Sequence, residues 1–428
     1  MITVSFNFSG TPRPVGFLSS LKNKNYFEFH PDFLANPLPL SPLKLPARAG
    51  VFSYMNALPG VFDDSLPDGW GRLILDRYLR TQGILPESLS CIDRLAYVGK
   101  RGMGALIYDP DFSFPEWDAT SVDPDILQAH SEAAFNQDLA GSSSEVFEEL
   151  LNLGGSSGGA RPKALLAVSD DKKDVIFLPH NADPKNARSR DVAKNYQYWM
   201  IKFRNSSEPP DAGILEYIYS LMAKNAGIEM TDCYLFSGKN NGSYFGIQRF
   251  DRKNIDGMTH TQHLHSASGL LETDFRVPSL DYDQLMTLTA ILTKDRNEVE
   301  RLFRLTVFNV LGHNRDDHGK NFSFLMTENG KWRLSPAYDL TFSSGPRGQH
   351  STMILGEGKN PHSLLTTLGK KHQIAEAKIS EIIEQTKSAI ADFSTLAKAY
   401  ALSRSTTDLV LQRIVLSSPI NHQSVRPV

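Results

Sequence analysis

What most limits the fold of this chain is a change of period along it. From residue 163 to residue 250 the apolar residues come in short runs, KALLAVS, VIFLP, YQYWMIKFR, DCYLFSG and SYFGIQRF, the pattern of antiparallel strands with one inserted helix, LEYIYSLMAKNAG. From about residue 280 they return every three or four positions, in LDYDQLMTLTAILTK, EVERLFRLTVFNVLG, KISEIIEQTKSAIADFSTLAKAYAL and TDLVLQRIVLSS. A period of two and a period of 3.6 cannot share one element. The chain must therefore build a sheet-rich lobe and then a helical lobe, an α+β arrangement.

Ahead of both lies a third pattern. ITVSFNFSG, PVGFLSS and YFEFHP read as short strands, and the proline-rich NPLPLSPLKLPARAG excludes regular structure. DGWGRLILDRYLRTQG reads as a helix closed by a glycine, and LAYVGKRGMGALIY as strand, glycine turn and strand. Residues 110–142 read as a connector with one helix and no core. At 428 residues the chain exceeds one ordinary core. The expected division is a small mixed α/β N-terminal domain at 1–140 and a second domain at 141–428, with its first lobe at about 141–255 and its second at about 256–428.

Composition narrows the partners. A formal net charge of -3 argues against a generic polyanion binder. Two cysteines, Cys91 and Cys233, are too few for a disulfide framework, which points to a reducing compartment. With neither a signal-length apolar run at the N-terminus nor a membrane-length one elsewhere, the expectation is a cytoplasmic protein with no membrane partner.

The chemistry centres on GHNRDDHGKNFSFL, a charge-dense run at the exit of an apolar helix. Asp316 and Asn321 stand as D-x-x-x-x-N, the spacing with which protein kinases place the carboxylate that accepts the substrate hydroxyl proton and the amide that ligates Mg²⁺. Asp317 is adjacent, and spacing to Asn321 favours Asp316 as the base. Phosphoryl transfer also needs a second metal carboxylate, which Asp339 of SPAYDLTFSS supplies after the strand-like KWRLS. Lys202, the single charge in the apolar strand YQYWMIKF, fits a phosphate-binding cation, with Glu216 as its expected partner. GGSSGGARPK offers backbone donors to phosphates, with Arg161 and Lys163 adding charge. It fails the Walker pattern, because Ala160 follows Gly159.

FDDSLPDGWGRLILDRYL, DRLAYVGKRGMGALIY, GGSSGGARPKALL, QRFDR, NRDDHGKNFSFL and SPAYDLTFS, in that order, resemble the HipA family of bacterial serine/threonine kinases, the toxins of HipBA-type toxin–antitoxin systems. The resemblance implies a two-lobed protein-kinase-like fold behind a family-specific N-terminal domain, and ATP and Mg²⁺ as cofactors. It implies Asp316 as catalytic base, Asn321 and Asp339 as metal ligands, and Lys202 on the nucleotide phosphates. Ser157, Gly158, Gly159, Ala160, Arg161 and Lys163 would cover the phosphates, Gln248 and Phe250 would meet the adenine, and His318 and Lys320 would stand on the nucleotide side, His318 also hydrogen-bonded to hold its loop. Ser156, with the adjacent Ser157 as the alternative, matches the family's autophosphorylated serine, whose phosphate would eject the loop and weaken ATP binding. Where family members often carry Glu, this chain has Gln248. The implied partners are a protein substrate of the aminoacyl-tRNA synthetase kind and a HipB-like helix-turn-helix antitoxin. DNA would be reached only through that antitoxin, since the chain has no convincing reading helix of its own.

Blander uses compete at several positions. Arg249, Asp251 and Arg252 suit a surface or lobe-bridging ion network, Trp70 and its DGWGR neighbours an N-terminal core, and Met103 and Gly104 a packed turn. Two other functions compete with the kinase: a pseudokinase-like subunit that acts with the antitoxin in operator repression, and a metal-dependent phosphohydrolase. The complete set Lys202, Asp316, Asn321 and Asp339 favours the kinase.

Overall fold

The computed structural model describes residues 1–113, 122–136, 144–154, 159–177, 194–205, 207–238 and 242–416. Ser156, Ser157 and Gly158, and the boundary expected near Gly141, fall outside these residues. Two compact units emerge. The first joins residues 1–213, 231–273 and 323–335, and the second residues 214–230, 274–322 and 336–428.

In the first unit, β1 (Ile2–Phe6), β2 (Arg13–Leu21), β3 (Lys24–Phe29), β4 (Val51–Met55) and β5 (Leu106–Asp109) form an antiparallel sheet in the order β4-β3-β2-β1-β5. Val4, Phe6, Leu18, Phe27 and Phe29 line its buried side. Here the sequence expectation needs correction, because LAYV is not a strand. Cys91–Val98 is a helix, started by a reciprocal Ser90–Asp93 capping box and burying Ile92, Leu95, Ala96 and Val98. Only the LIY end of that stretch enters a strand, β5.

A second antiparallel sheet has the order β7-β6-β8-β10-β9, from β6 (Lys163–Ser169), β7 (Val175–Ile176), β8 (Tyr196–Lys202), β9 (Cys233–Ser237) and β10 (Ser243–Gln248). Strand alternation sends Ala164, Leu166, Val168, Trp199 and Ile201 to one face, where they pack with Trp70 and Ile74 of the helix Gly69–Thr81 and with Leu150 and Leu153 of the helix Ser144–Gly154. The connector helix Pro124–Asn136 adds Leu127 and Ala134 to this cluster, so the connector does carry core residues. The hairpin β11 (Arg252–Ile255) and β12 (Met258–Thr261) follows. A three-stranded sheet of β13 (His263–Ser266), β14 (Ser323–Met326) and β15 (Trp332–Leu334) completes the unit.

The second unit is built on the helix Arg296–Leu311, capped by Asp295 and buried almost all round from Leu302 to Leu311. It packs against the helices Tyr282–Thr293 and Glu376–Ala391. It stops at Gly312, after which His313 takes a left-handed conformation (φ 57°) and turns the chain into the polar run. Among the described residues no helix is long and apolar enough to cross a membrane.

Candidate active site

The candidate residues form two groups, one in each unit. In the first unit, Lys163 and Lys202 are direct partners across the β6–β8 ladder and so project from the same face of the sheet. Both are buried, at 7% and 5% exposure. Lys202 Nζ stands 5.8 Å from the centroid of Phe245, its partner on β10. The Lys163 ammonium lies close under Gly159 (φ 93°), where a Cβ would come within 2.6 Å of Nζ. Glu216, expected beside Lys202, is itself buried on the helix Ala212–Asn225.

Gly159 is held by the DGWG turn. Its N–H donates to the Asp68 carboxylate, and its carbonyl accepts from Trp70 N–H at 2.9 Å. Gly69 allows this approach, since a Cβ there would stand 2.4 Å from the Gly159 oxygen. The sequence expectation for Trp70 needs correction: it is buried not in an N-terminal-domain core but in the cluster under β6 and β8, and Asp68 and Gly69 do more than fill space beside it. They fix the end of the glycine-rich loop. The D-G-x-G string, with two glycines beside an aspartate, was the available signal for a close backbone approach.

Other expected nucleotide residues are placed differently. Arg161 pairs with Glu208 at 3.1 Å, which commits the guanidinium to a carboxylate, while Ala160 is exposed. Gln248 pairs with Trp199 on β8, three residues from Lys202, so its side chain lies on the sheet face opposite the lysines. There it lines a cavity of about 320 Å³ with Trp199, Lys172, Asp232 and Lys253. Its backbone N–H donates to the Asp232 carbonyl at 2.8 Å, and its own carbonyl accepts from the Thr231 hydroxyl at 2.6 Å. A carbonyl has a second lone pair for an adenine amino group. The structure does not bring the Gln248 side chain to the two lysines. Phe250 is half-buried next to it.

The RFDR run is no surface network. Arg249 grips both oxygens of Asp251 at 2.8 and 2.7 Å, Gly104 N–H donates to the same carboxylate at 2.7 Å, and Arg252 donates to the Gly102 carbonyl at 2.6 Å. All three charged residues are buried. Burial alone would raise the Asp251 carboxyl, but the two guanidiniums hold it well below the usual carboxylate range. The cluster ties β10 and β11 to the GMG turn.

A Ser–His–Asp chain also occurs in this unit. Ser41 Oγ lies 3.0 Å from His265 Nε2, and His265 Nδ1 lies 2.6 Å from Asp64. Nucleophilic triads have this connectivity, but Ser41 and His265 are 1% and 0% exposed, which gives a substrate no approach. Asp64 also accepts from the Ser266 N–H and hydroxyl at 2.7 and 2.6 Å, as a structural knot would require.

In the second unit the polar run separates its two aspartates. Asp316 is exposed, whereas Asp317 is fully buried and its carboxylate is encircled by donors from Tyr282, His350, Ser351 and Thr352. Asn321 Nδ2 donates to the Asp316 carbonyl at 2.7 Å, which turns its Oδ1 away as an acceptor. Lys320 Nζ stands 4.7 Å from the Phe275 ring centroid, and its carbonyl accepts from the Tyr338 hydroxyl at 2.5 Å. The expectation for His318 changes. It packs on Phe275 with ring centroids 5.2 Å apart, while its buried Nδ1 has no hydrogen-bond partner among the described residues. Ring packing, and not a hydrogen bond from Nδ1, holds it.

Asp339 adopts φ 57°, left-handed backbone that costs a residue with a Cβ about 1 kcal/mol or more. Twelve other described non-glycine residues share a positive φ, so the conformation by itself does not mark a site. Among the described residues no group of three or more His, Cys, Asp or Glu forms a metal cage. Mg²⁺ does not need one, since it takes one or two protein oxygens and fills its shell with water and phosphate. The carboxylate of Asp339 and the freed amide oxygen of Asn321 fit that demand in donor type.

Comparison with known proteins identifies the family and the fold. The family described as HipA-like C-terminal domain matches residues 155–393, and that described as HipA N-terminal domain matches residues 9–109. A Haemophilus influenzae protein named "Putative kinase" is 24% identical over 212 residues, 47% of this chain and 57% of that protein. The Shewanella oneidensis serine/threonine-protein kinase toxin HipA is 30% identical over 115 residues, 22% of this chain and 26% of that protein. The chain thus spans about half or less of the length of these two relatives. A solved Shewanella oneidensis complex of HipA, HipB and operator DNA shares the fold, with a TM-score of 0.66 at 17% identity over 97% of this chain and 96% of the matched one.

Proposed function

The chain belongs to the HipA-like C-terminal domain family, and on that footing we propose that it is an ATP- and Mg²⁺-dependent serine/threonine protein kinase, the toxin of a HipBA-type pair. The observation that carries this is the division of labour in the polar run. Asp317 is spent on buried hydrogen bonds, leaving Asp316 as the exposed carboxylate at the D-x-x-x-x-N spacing, with Asn321 tied through Nδ2 to the Asp316 carbonyl. Asp316 accepts the proton of a substrate hydroxyl as the γ-phosphoryl group is attacked. Lys163 and Lys202 hold the nucleotide phosphates, and Asp68 with Trp70 steadies the loop end at Gly159. Mg²⁺, when bound through Asn321 and Asp339, neutralises phosphate charge.

The acceptor is a protein hydroxyl, and by resemblance a translation enzyme of the aminoacyl-tRNA synthetase kind. The partner is a HipB-like helix-turn-helix protein, through which the chain reaches DNA. Incubation with γ-labelled MgATP and cell extract should place label on protein, and Asp316→Ala should abolish it. Release of free phosphate with no protein label would overturn the kinase in favour of a phosphohydrolase. Phosphoproteomics of cells briefly expressing the chain, beside the Asp316→Ala control, identifies the acceptor.

A further inference from the structure

The second aspartate of the run has a role that its neighbour depends on. One oxygen of Asp317 accepts from the backbone N–H groups of Ser351 and Thr352 at 2.8 and 3.2 Å. The other accepts from the Tyr282 hydroxyl and from His350 Nδ1, each at 2.8 Å. Burial, and next the carboxylate itself, pushes the Tyr282 hydroxyl well up, so it stays protonated and can donate. The bonds continue on both sides of Asp316. Thr352 Oγ1 donates to the Asp317 carbonyl at 2.5 Å, Ser351 donates to the Arg315 carbonyl through N and Oγ at 3.1 Å each, and the Arg315 guanidinium donates to the Gly348 carbonyl and, at 2.9 Å, to that of Lys359.

We propose that Asp317 is a positioning residue for phosphoryl transfer: by fastening the loop to residues 350–352 it fixes the direction in which Asp316 projects. This rests on the kinase assignment above. Residues 315 and 317 are both pinned to the 348–359 segment, and Asp316 between them is the one that projects outward. Loss of the pin lets Asp316 sample directions that miss the hydroxyl, and a displacement of about 1 Å can cost about a hundredfold in rate. The Asp317 carboxylate also couples Asp316 to the segment that follows Asp339 in the chain, so anything that moves residues 348–352 changes turnover.

The test uses Asp317→Asn in the full chain. The amide keeps an oxygen for the Ser351 and Thr352 donors but offers N–H where Tyr282 and His350 donate. Expected are a 10- to 100-fold lower kcat for MgATP turnover, read as ADP formed and as label on protein, a KM for ATP within about twofold of wild type, and faster hydrogen exchange confined to residues 315–321 and 350–352. Tyr282→Phe removes one donor and leaves the others, so it should lower kcat less, by 3- to 10-fold, again at constant KM. Wild-type kcat in folded Asp317→Asn would overturn the proposal. So would a loss that merely tracks the folded fraction, with exchange rising throughout the unit. If the wild-type chain transfers no phosphate, the kinase assignment fails instead, and exchange decides the pin by itself: locally raised exchange in Asp317→Asn supports it, and unchanged exchange overturns it.

Discussion

Lys163 and Lys202 face one another across two adjacent strands, both buried and both on the same side of the sheet. Directly opposed side chains in a ladder have Cβ atoms about 5 Å apart, so the two lysine stems rise side by side. An arrangement that concentrates positive charge under a glycine-rich loop end suits a polyphosphate. Lys202→Ala should therefore weaken MgATP binding by at least about tenfold, which is about 1.4 kcal/mol. Calorimetric titration with MgATP checks this, and unchanged affinity would remove Lys202 from the phosphates.

The contrast between an exposed and a buried aspartate gives a second expectation. Asp316→Ala should abolish phosphoryl transfer while MgATP affinity stays within a few-fold of wild type, because the lost carboxylate orients the nucleophile and contacts the nucleotide little. Its melting temperature should hardly change, since the side chain is exposed. Scanning fluorimetry and label transfer on the same preparation separate the two effects.

The sequence spoke clearly where a signal was local and failed where it was not. The change of period near residue 280 and the polar run at the end of an apolar helix are read off single stretches, and the helix Arg296–Leu311 ends at Gly312 as that pattern implies. LAYV is ambiguous because a run of four apolar residues fits either period, and the capping box that decides it begins more than one turn earlier, at Ser90. The burial of Arg249, Asp251 and Arg252 depends on Gly102 and Gly104, about 150 positions away. Asp68 carries no local signal of its role for the same reason, since its partner Gly159 is 91 residues on. Spacing could rank Asp316 above Asp317, but only the donors on Tyr282 and on residues 350–352 explain why the second carboxylate is occupied.

Asp339 combines a left-handed backbone with a carboxylate, and substitutions separate the two. Asp339→Gly relieves the conformation and Asp339→Ala keeps it without the polar tip that helps Asp tolerate it. The glycine variant should be more stable than the alanine variant by about 1 kcal/mol. Both, and Asp339→Asn as well, should weaken Mg²⁺-dependent ATP binding, because the anionic protein ligand is gone. Denaturant unfolding ranks the stabilities, and nucleotide titration with and without Mg²⁺ reads the site. Equal Mg²⁺ dependence in wild type and Asp339→Asn would exclude Asp339 as a ligand.

Acid should destabilise the first unit through His263. The ring is buried, edge-on to Phe6 and Trp332 at centroid distances of 5.1 and 5.5 Å, and its Nε2 lies 3.1 Å from the Leu40 carbonyl. Nε2 must carry the proton in that bond, which leaves Nδ1 bare, and Nδ1 has no partner among the described residues. Burial first, and then the neighbouring His265, push its pKa down to about 3. The folded pKa is thus below the unfolded value of about 6.5. Between those limits the unfolded chain binds the extra proton, so the contribution is whole above about pH 6.5 and is lost as pH falls toward 3, at up to about 1.4 kcal/mol per pH unit. His263→Phe keeps the aromatic packing and removes the titration. It leaves the Leu40 carbonyl without its donor, so near pH 7.5 the variant should be about 1–3 kcal/mol less stable. Its stability should then fall less steeply than that of wild type between pH 6.5 and 4, and the two curves should converge. Urea unfolding at half-unit pH steps measures this, and parallel curves would show that His263 does not remain neutral in the folded chain.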